Sequence, residues 1–265
     1  MEFHKNDHDK AIVDINKAIE LNPDYAEAYD IRGVLWFIRG DFDKAIAGYD
    51  KAIELKPDYA EAYNNRGDAW LKKGNYNKGI SDIDKAIELK SDYAEAYYNR
   101  GTAYKKKAQH DQAISNYDKA IELKPDYAEA YNNRGTTWFI RGDNNKAIAD
   151  YGKAIALKSD YAEAYYNRAI AYTKECQYDL AISDYSKVID LNQRDAEAHY
   201  NRGITYYLKK EYDNAWNDLN RAQDLGYKIN PKIFKMLREQ KEERTGKGQE
   251  RGRKGSALYI IHFFK

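Results

Sequence analysis

Between residues 42 and 55 the apolar side chains Phe42, Ala45, Ile46, Tyr49, Ala52 and Ile53 fall three and four positions apart. That spacing predicts an amphipathic helix with one apolar stripe. The stretch before it, up to about Ile38, places Ala28, Ile31 and Leu35 as apolar positions of an earlier helix. Gly40 ends that first helix, and Asp41 is placed to cap the second. Asp24 and Glu27 have the three-residue offset of a capping box, with Pro23 upstream discouraging continuation of the preceding helix. Lys56-Pro57-Asp58 closes the second helix and restarts the pattern. One cycle is therefore two antiparallel helices joined by a tight turn.

The cycle repeats. The segment DYAEAY starts at Asp24 and returns at Asp58, Asp92, Asp126 and Asp160, each 34 residues after the last, with a diverged copy RDAEAH at Arg194. A fixed period of this length marks a helical repeat array, in which each unit touches its neighbours and function sits on an extended surface. Six full units fit 26–59, 60–93, 94–127, 128–161, 162–195 and 196–229. Small residues recur inside the predicted helices: Gly33, Gly67, Gly101, Gly135, Ala169 and Gly203 in the first, and Ala45, Gly79, Ala113, Ala147, Ala181 and Ala215 in the second. Glycine inside a helix costs about 1 kcal/mol relative to alanine, so its recurrence calls for close approach of two backbones.

Period, first-helix glycine, the aromatic three residues later (Trp36, Trp70, Tyr104, Trp138, Tyr172, Tyr206), and the alanine and aromatic of the second helix together resemble the tetratricopeptide repeat family. Pro23, Pro57 and Pro125 end second helices as in that family. The resemblance implies an all-α fold, a right-handed superhelical solenoid of antiparallel helix pairs whose first helices line a concave groove. One departure is Arg32, Arg66, Arg100, Arg134, Arg168 and Arg202, where the family usually has leucine. Their stems can cover apolar surface while the guanidinium reaches a carboxylate such as Asp82 or Asp150.

The two ends read differently from the middle. Residues 1–25 match a second helix alone, with Asp9-Lys10-Ala11-Ile12 lying 34 residues before Asp43-Lys44-Ala45-Ile46. Ile12, Ile15 and Ile19 are then expected to face solvent, which predicts either a fragment of a longer protein or a homo-oligomer formed through this helix. Residues 230–244 predict a capping helix with Ile233, Phe234, Met236 and Leu237 inward. From 245 to 256 the chain is Gly- and Lys/Arg-rich and is expected to be disordered. Residues 257–264 (ALYIIHFF) form an apolar, β-prone run too short to span a bilayer. It could dock on the solenoid, contact a partner, or arise from a reading-frame accident.

Charge and chemistry narrow the function classes. Lys plus Arg (44) nearly equal Asp plus Glu (43), leaving no global field for nucleic acid or an anionic membrane. With 43% hydrophobic residues and 26 tyrosines the chain is too apolar for general disorder. A single Cys176 excludes an internal disulfide and a cysteine-only zinc site. No signal peptide and no spanning run is visible, so a cytoplasmic location is expected, with the native N-terminus open. The five histidines (His4, His8, His110, His199, His262) lack ligand spacing, and the Gly246–Gly255 stretch does not fit a phosphate loop. No catalytic residue, metal site or cofactor is expected.

The candidate site is a ladder of amides. Asn65, Asn99, Asn133, Asn167 and Asn201 occur once per repeat on the first helices. An amide offers one acceptor and two donors, so a regular row suits the backbone of an extended peptide. In some tetratricopeptide arrays such a ladder grips the main chain of a ligand. The alternative is descent, since repeats two and four share AEAYNNRG and three and five share AEAYYNR, a pattern that duplication copies whether or not it is used. Tyr98, Tyr166 and Tyr200, the apolar Phe37 and Phe139, and the basic Lys72 and Lys106 are expected to add preference along the groove. The family's clamp for C-terminal carboxylates is disfavoured, because its lysine positions carry Asp30, Asn64 or Tyr98, and Glu27, Glu61 or Glu95. The expected function is a non-enzymatic scaffold binding an extended protein segment. A self-assembling or regulatory module using the N-terminal edge, or an arm of an enzyme outside this chain, is the alternative.

Overall fold

The structure is a computed structural model and describes residues 2–244. The stretches 245–256 and 257–264, read above as a disordered linker and an apolar run, lie outside the described residues. Among the described residues there are fourteen α-helices and no strand. They fall into two units, 1–143 and 144–265. The first unit holds α1 (Glu2–Leu21), α2 (Ala26–Ile38), α3 (Phe42–Leu55), α4 (Ala60–Lys72), α5 (Tyr76–Leu89), α6 (Ala94–Lys106), α7 (His110–Leu123) and α8 (Ala128–Ile140). The second holds α9 (Asn144–Leu157), α10 (Ala162–Lys174), α11 (Tyr178–Leu191), α12 (Ala196–Leu208), α13 (Tyr212–Asp224) and α14 (Pro231–Arg244).

Within a repeat the two helices meet where the sequence places its small residues. A Cβ at Gly33 would lie 2.6 Å from the Tyr49 ring and 3.0 Å from the Ala45 carbonyl oxygen. Only hydrogen fits between α2 and α3 there, and Ala45, Tyr49 and Ala52 are buried in consequence. The turn between first and second helix needs one left-handed residue: Gly40, Gly74 and Gly142 supply it, while Ala108, Cys176 and Lys210 adopt it at φ of 56°, 58° and 68°. In the first unit the first helices α2, α4 and α6 touch their successors α4, α6 and α8 more extensively than the second helices touch theirs. That stack therefore curves with its first helices on the inner side.

Three expectations at the N-terminal side need correction. Asp24 does not cap α2: the N-cap is Tyr25, whose carbonyl accepts from the Ala28 N–H at 3.0 Å, and no side chain caps the helix. Glu27 then sits at the second helical position, one short of the capping-box register. In the sixth repeat an aspartate does occupy the N-cap, and Asp195 accepts from the Ala198 N–H at 2.9 Å. Ile31, placed among the apolar positions of the first helix, is 47% exposed. Conversely, Ile12 and Ile19 are buried and Ile15 is half-buried, with Ile15 and Ile19 packing against Ala28, Tyr29 and Ala52. The isoleucine stripe of α1 faces the following repeat, as second-helix stripes do, so it is not an open edge.

In the second unit α14 places Ile233 and Leu237 into a cluster with Leu219 and Ala222, and Phe234 and Met236 pack at its margin. Asn230 precedes Pro231 and its side chain accepts from the Lys232 N–H at 3.0 Å, which sets the start of the helix.

Candidate functional site

The asparagine row is wired to the preceding repeat. In the first unit Asn65 donates through Nδ2 to Asp30 Oδ1 at 3.1 Å, Asn99 to Asn64 Oδ1 at 3.0 Å, and Asn133 to the Tyr98 hydroxyl at 2.8 Å. Each bond joins neighbouring first helices across 35 residues. In the second unit Asn201 donates to the Tyr166 hydroxyl at 2.6 Å over the same interval. Asn167 holds the corresponding position of α10 and is half-buried. For Asn65 and Asn99, both half-buried, the described side-chain hydrogen bonds use a donor and leave the carbonyl oxygen available, whereas Asn201 is buried. At Asn133 that oxygen accepts from Lys105 Nζ.

The acceptors form a second row, one residue earlier in the repeat: Asp30, Asn64, Tyr98 and Tyr166. Sequence reasoning missed it as a partner row. The visible signal was that positions 30, 64, 98, 132, 166 and 200 all carry a side chain able to accept a hydrogen bond. Burial pushes the Asp30 carboxyl above its ordinary value, against the Asn65 bond, which favours the ionised form. Burial likewise pushes Asp68 up, opposed by the charge of Lys72. The Tyr166 hydroxyl is raised by burial and by its hydrogen bond to Glu197.

The other nominated residues separate into two groups. Tyr98 and Tyr166 are half-buried brackets: Tyr98 packs against Tyr117 and Tyr127 at 5.9 and 4.9 Å, and Tyr166 against Tyr185 at 5.8 Å. Tyr200 is buried under Tyr227, stacked at 4.5 Å, which removes it from any ligand-facing set. Phe37 turns toward the second helix and meets Phe42 edge-on at 5.4 Å. Phe139 is half-buried at the equivalent position. The apolar surface at these helix ends belongs instead to the next residue, with Ile38 57% and Ile140 55% exposed. Lys72 and Lys106 occupy that same position and are exposed.

The recurrent arginines carry structure. Arg66 makes a bidentate pair with Asp82 at 2.8 and 2.7 Å and reaches Asp50 at 2.7 Å, so one first-helix residue ties two successive second helices. Arg100 repeats this with Asn116 and Asp84, and Arg202 with Asp218 and Ser186. The glutamates read as capping residues pair instead with a lysine 29 positions on: Glu27 with Lys56 at 3.0 Å, Glu61 with Lys90 at 3.0 Å and Glu95 with Lys124 at 2.9 Å. The Lys56 hydrogen bond holds Glu27 below the ordinary carboxylate value. No group of histidine, cysteine or acidic side chains among the described residues is arranged to hold a metal ion. None of the described helices is long and apolar enough to cross a membrane.

Sequence profiles of the TPR repeat match residues 33–74, 67–108 and 137–175, and those of the tetratricopeptide repeat match 94–127, 162–195 and 3–25. The chain belongs to the tetratricopeptide repeat family. Among solved tetratricopeptide structures, YrrB, described as a TPR protein with an unusual peptide-binding site, is 25% identical over 74% of this chain and 97% of its own, with a TM-score of 0.59. MamA is 30% identical over 62% of this chain and 96% of its own, with a TM-score of 0.55. The Cut9–Hcn1 assembly of the APC/C shares the fold at a TM-score of 0.72 and 19% identity, over 88% of this chain and 46% of its own. No curated protein matches the sequence. Against the tetratricopeptide pattern, the arginine in place of leucine is explained by the polar side chains sixteen residues away, carboxylates on both sides at Arg66 and on one side at Arg100 and Arg202.

Proposed function

We propose that this tetratricopeptide protein is a non-enzymatic scaffold that holds an extended segment of a partner protein along its first helices. The observation that carries the reading is the fixed asparagine row. The amide donors of Asn65, Asn99, Asn133 and Asn201 are tied to the preceding repeat, so these side chains are pre-oriented before a ligand arrives. The oxygens of Asn65 and Asn99 then stand as acceptors for peptide N–H groups, and pre-orientation lowers the entropy lost on binding. The second unit contributes the half-buried Asn167, while the buried Asn201 serves as a tie to Tyr166. Lys72 and Lys106 would favour acidic side chains on the bound segment, and Ile38 and Ile140 apolar ones. The peptide-binding site for which YrrB is described supports the same use here.

The test selects extended peptides from a displayed random library on the immobilised chain and measures their affinity for two variants. Asn99→Ala removes the proposed acceptor and should weaken binding by roughly two- to tenfold, the worth of one net hydrogen bond. Asn64→Ala removes the anchor beneath it, with Asn64's own donation to the Tyr93 hydroxyl at 3.5 Å, and should lower thermal stability with a smaller loss of affinity. Equal affinity of Asn99→Ala and the parent for every selected peptide would reduce the row to an inter-repeat tie. The self-assembly alternative has lost its motive, because the isoleucines on which it rested are covered within the chain.

A further inference from the structure

The last second helix departs from the others at two isoleucine positions of the stripe, which carry Trp216 and Gln223. Five consecutive second helices carry Ile46, Ile80, Ile114, Ile148 and Ile182 at the first of these, and α13 carries Trp216. Its indole is half-buried and meets Phe234 of α14 edge-on at 5.3 Å. Between α13 and the start of α14 lies a cavity of about 420 Å³, with Trp216, Ile229, Pro231 and Phe234 as its apolar lining and Asn220, Gln223, Lys235 and Arg238 as its polar lining. The Arg238 guanidinium lies over the indole at 5.4 Å. Such a space suits aromatic side chains, whose ring faces a guanidinium also attracts.

We propose that this cavity is the docking site of the chain's own segment 257–264, seated by the rings of Phe263 and Phe264. The sequence supplies both chemistry and reach. Leu258, Tyr259, Ile260, Ile261, Phe263 and Phe264 carry no charge, whereas the connecting stretch 245–256 holds Lys247, Arg251, Arg253 and Lys254 and suits water. Phe234 stands ten residues before the end of α14, about 15 Å along a helix. The connecting stretch has twelve residues, four of them glycine. Eighteen residues separate Phe263 from the end of α14, and a flexible chain of that length has a root-mean-square end-to-end distance of about 21–25 Å. A tether that can cover the span holds its tip at high local concentration near the site. Docking would also remove from water the most apolar run of the chain.

Hydrogen–deuterium exchange on the full chain tests this, read in peptides covering 231–238, 245–256 and 257–264 at several protein concentrations. The expected result is that 257–264 exchanges about tenfold or more slowly than 245–256, independently of concentration. Trp216→Ile restores the residue of the other repeats and should abolish that protection without loosening α11 or α12. Phe263→Asp with Phe264→Asp should abolish it too and speed exchange in 231–238. Exchange of 257–264 as fast as 245–256 overturns the proposal. So does protection that survives Trp216→Ile, which would put the segment elsewhere, and protection that grows with concentration, which would give it to a second copy.

Discussion

Asn99 donates to Asn64 Oδ1 at 3.0 Å, so an amide of one first helix is anchored by an amide of the helix before it. The pair is half-buried on the Asn99 side and buried on the Asn64 side. Asn64→Ala should therefore cost roughly 0.5–1.5 kcal/mol of stability in urea unfolding, the net worth of one such bond. A double-mutant cycle with Asn99→Ala should show coupling of similar size; additive single effects would mean that the bond is not made in solution.

Two glycines should respond in opposite directions to alanine. A Cβ at Gly48 would lie 2.9 Å from the Tyr29 carbonyl oxygen and 3.0 Å from the Gly33 Cα, both backbone atoms that cannot step aside. Gly48→Ala should cost roughly 1–3 kcal/mol by overpacking. At Gly152 the nearest atom is the flexible Arg168 Nη1 at 3.5 Å, so Gly152→Ala should gain up to about 1 kcal/mol from helix propensity. Melting temperatures decide both.

The left-handed turn position offers a reciprocal pair. Ala108 sits at φ 56°, where an L side chain is strained, and Gly142 holds the same place at φ 87°. Ala108→Gly should stabilise by about 0.5–1 kcal/mol, and Gly142→Ala should destabilise by a similar amount. Matching signs for the two substitutions in calorimetry would refute the assignment.

The Arg66 clasp should be worth more intact than halved. Asp82 has a side chain only 13% exposed, so Arg66→Leu leaves a poorly solvated carboxylate and should cost about 1–3 kcal/mol. Adding Asp82→Leu removes that stranded charge and should recover much of the loss. A double variant less stable than the single would show that the pair is a net stabiliser.

Asp30 should impose a pH dependence of definite sign. Its folded-state value is raised by burial, so the unfolded chain ionises first as pH rises. Stability contributed by the protonated form is present below the ordinary carboxylate value and is lost as pH climbs through the raised one. Asp30→Asn, which copies the residue at Asn64, should match the parent in acid and exceed it at neutral pH. Parallel stability–pH curves for the two proteins would contradict the shift.

Helix placement was largely legible because one stripe of apolar residues at spacings of three and four defines each element; the expected second helix at Phe42–Leu55 is α3 itself. The first-helix starts were less legible. Asp24 and Glu27 satisfy the letters of a capping box, yet the chain enters the helix one residue later, and a single-residue offset changes which groups face the free N–H atoms. The asparagine row was visible as a period, but its partners were not. They depend on how adjacent first helices are rotated against each other, which puts residue 30 beside 65. The same blindness exposed Ile12 and Ile19 on paper: a stripe shows that a face is covered, not by which neighbour.

The side-chain bonds between neighbouring helices described above repeat at offsets of 16, 29 and 35 residues, and none reaches further than the adjacent repeat. In the first unit, excising residues 60–93 would bring Asn99 to Asp30 in the place Asn65 now holds, and Glu27 would still find a lysine at the offset that Lys56 fills. The chain thus comes in interchangeable lengths. Lineages could shorten or extend it by whole modules without inventing a new junction.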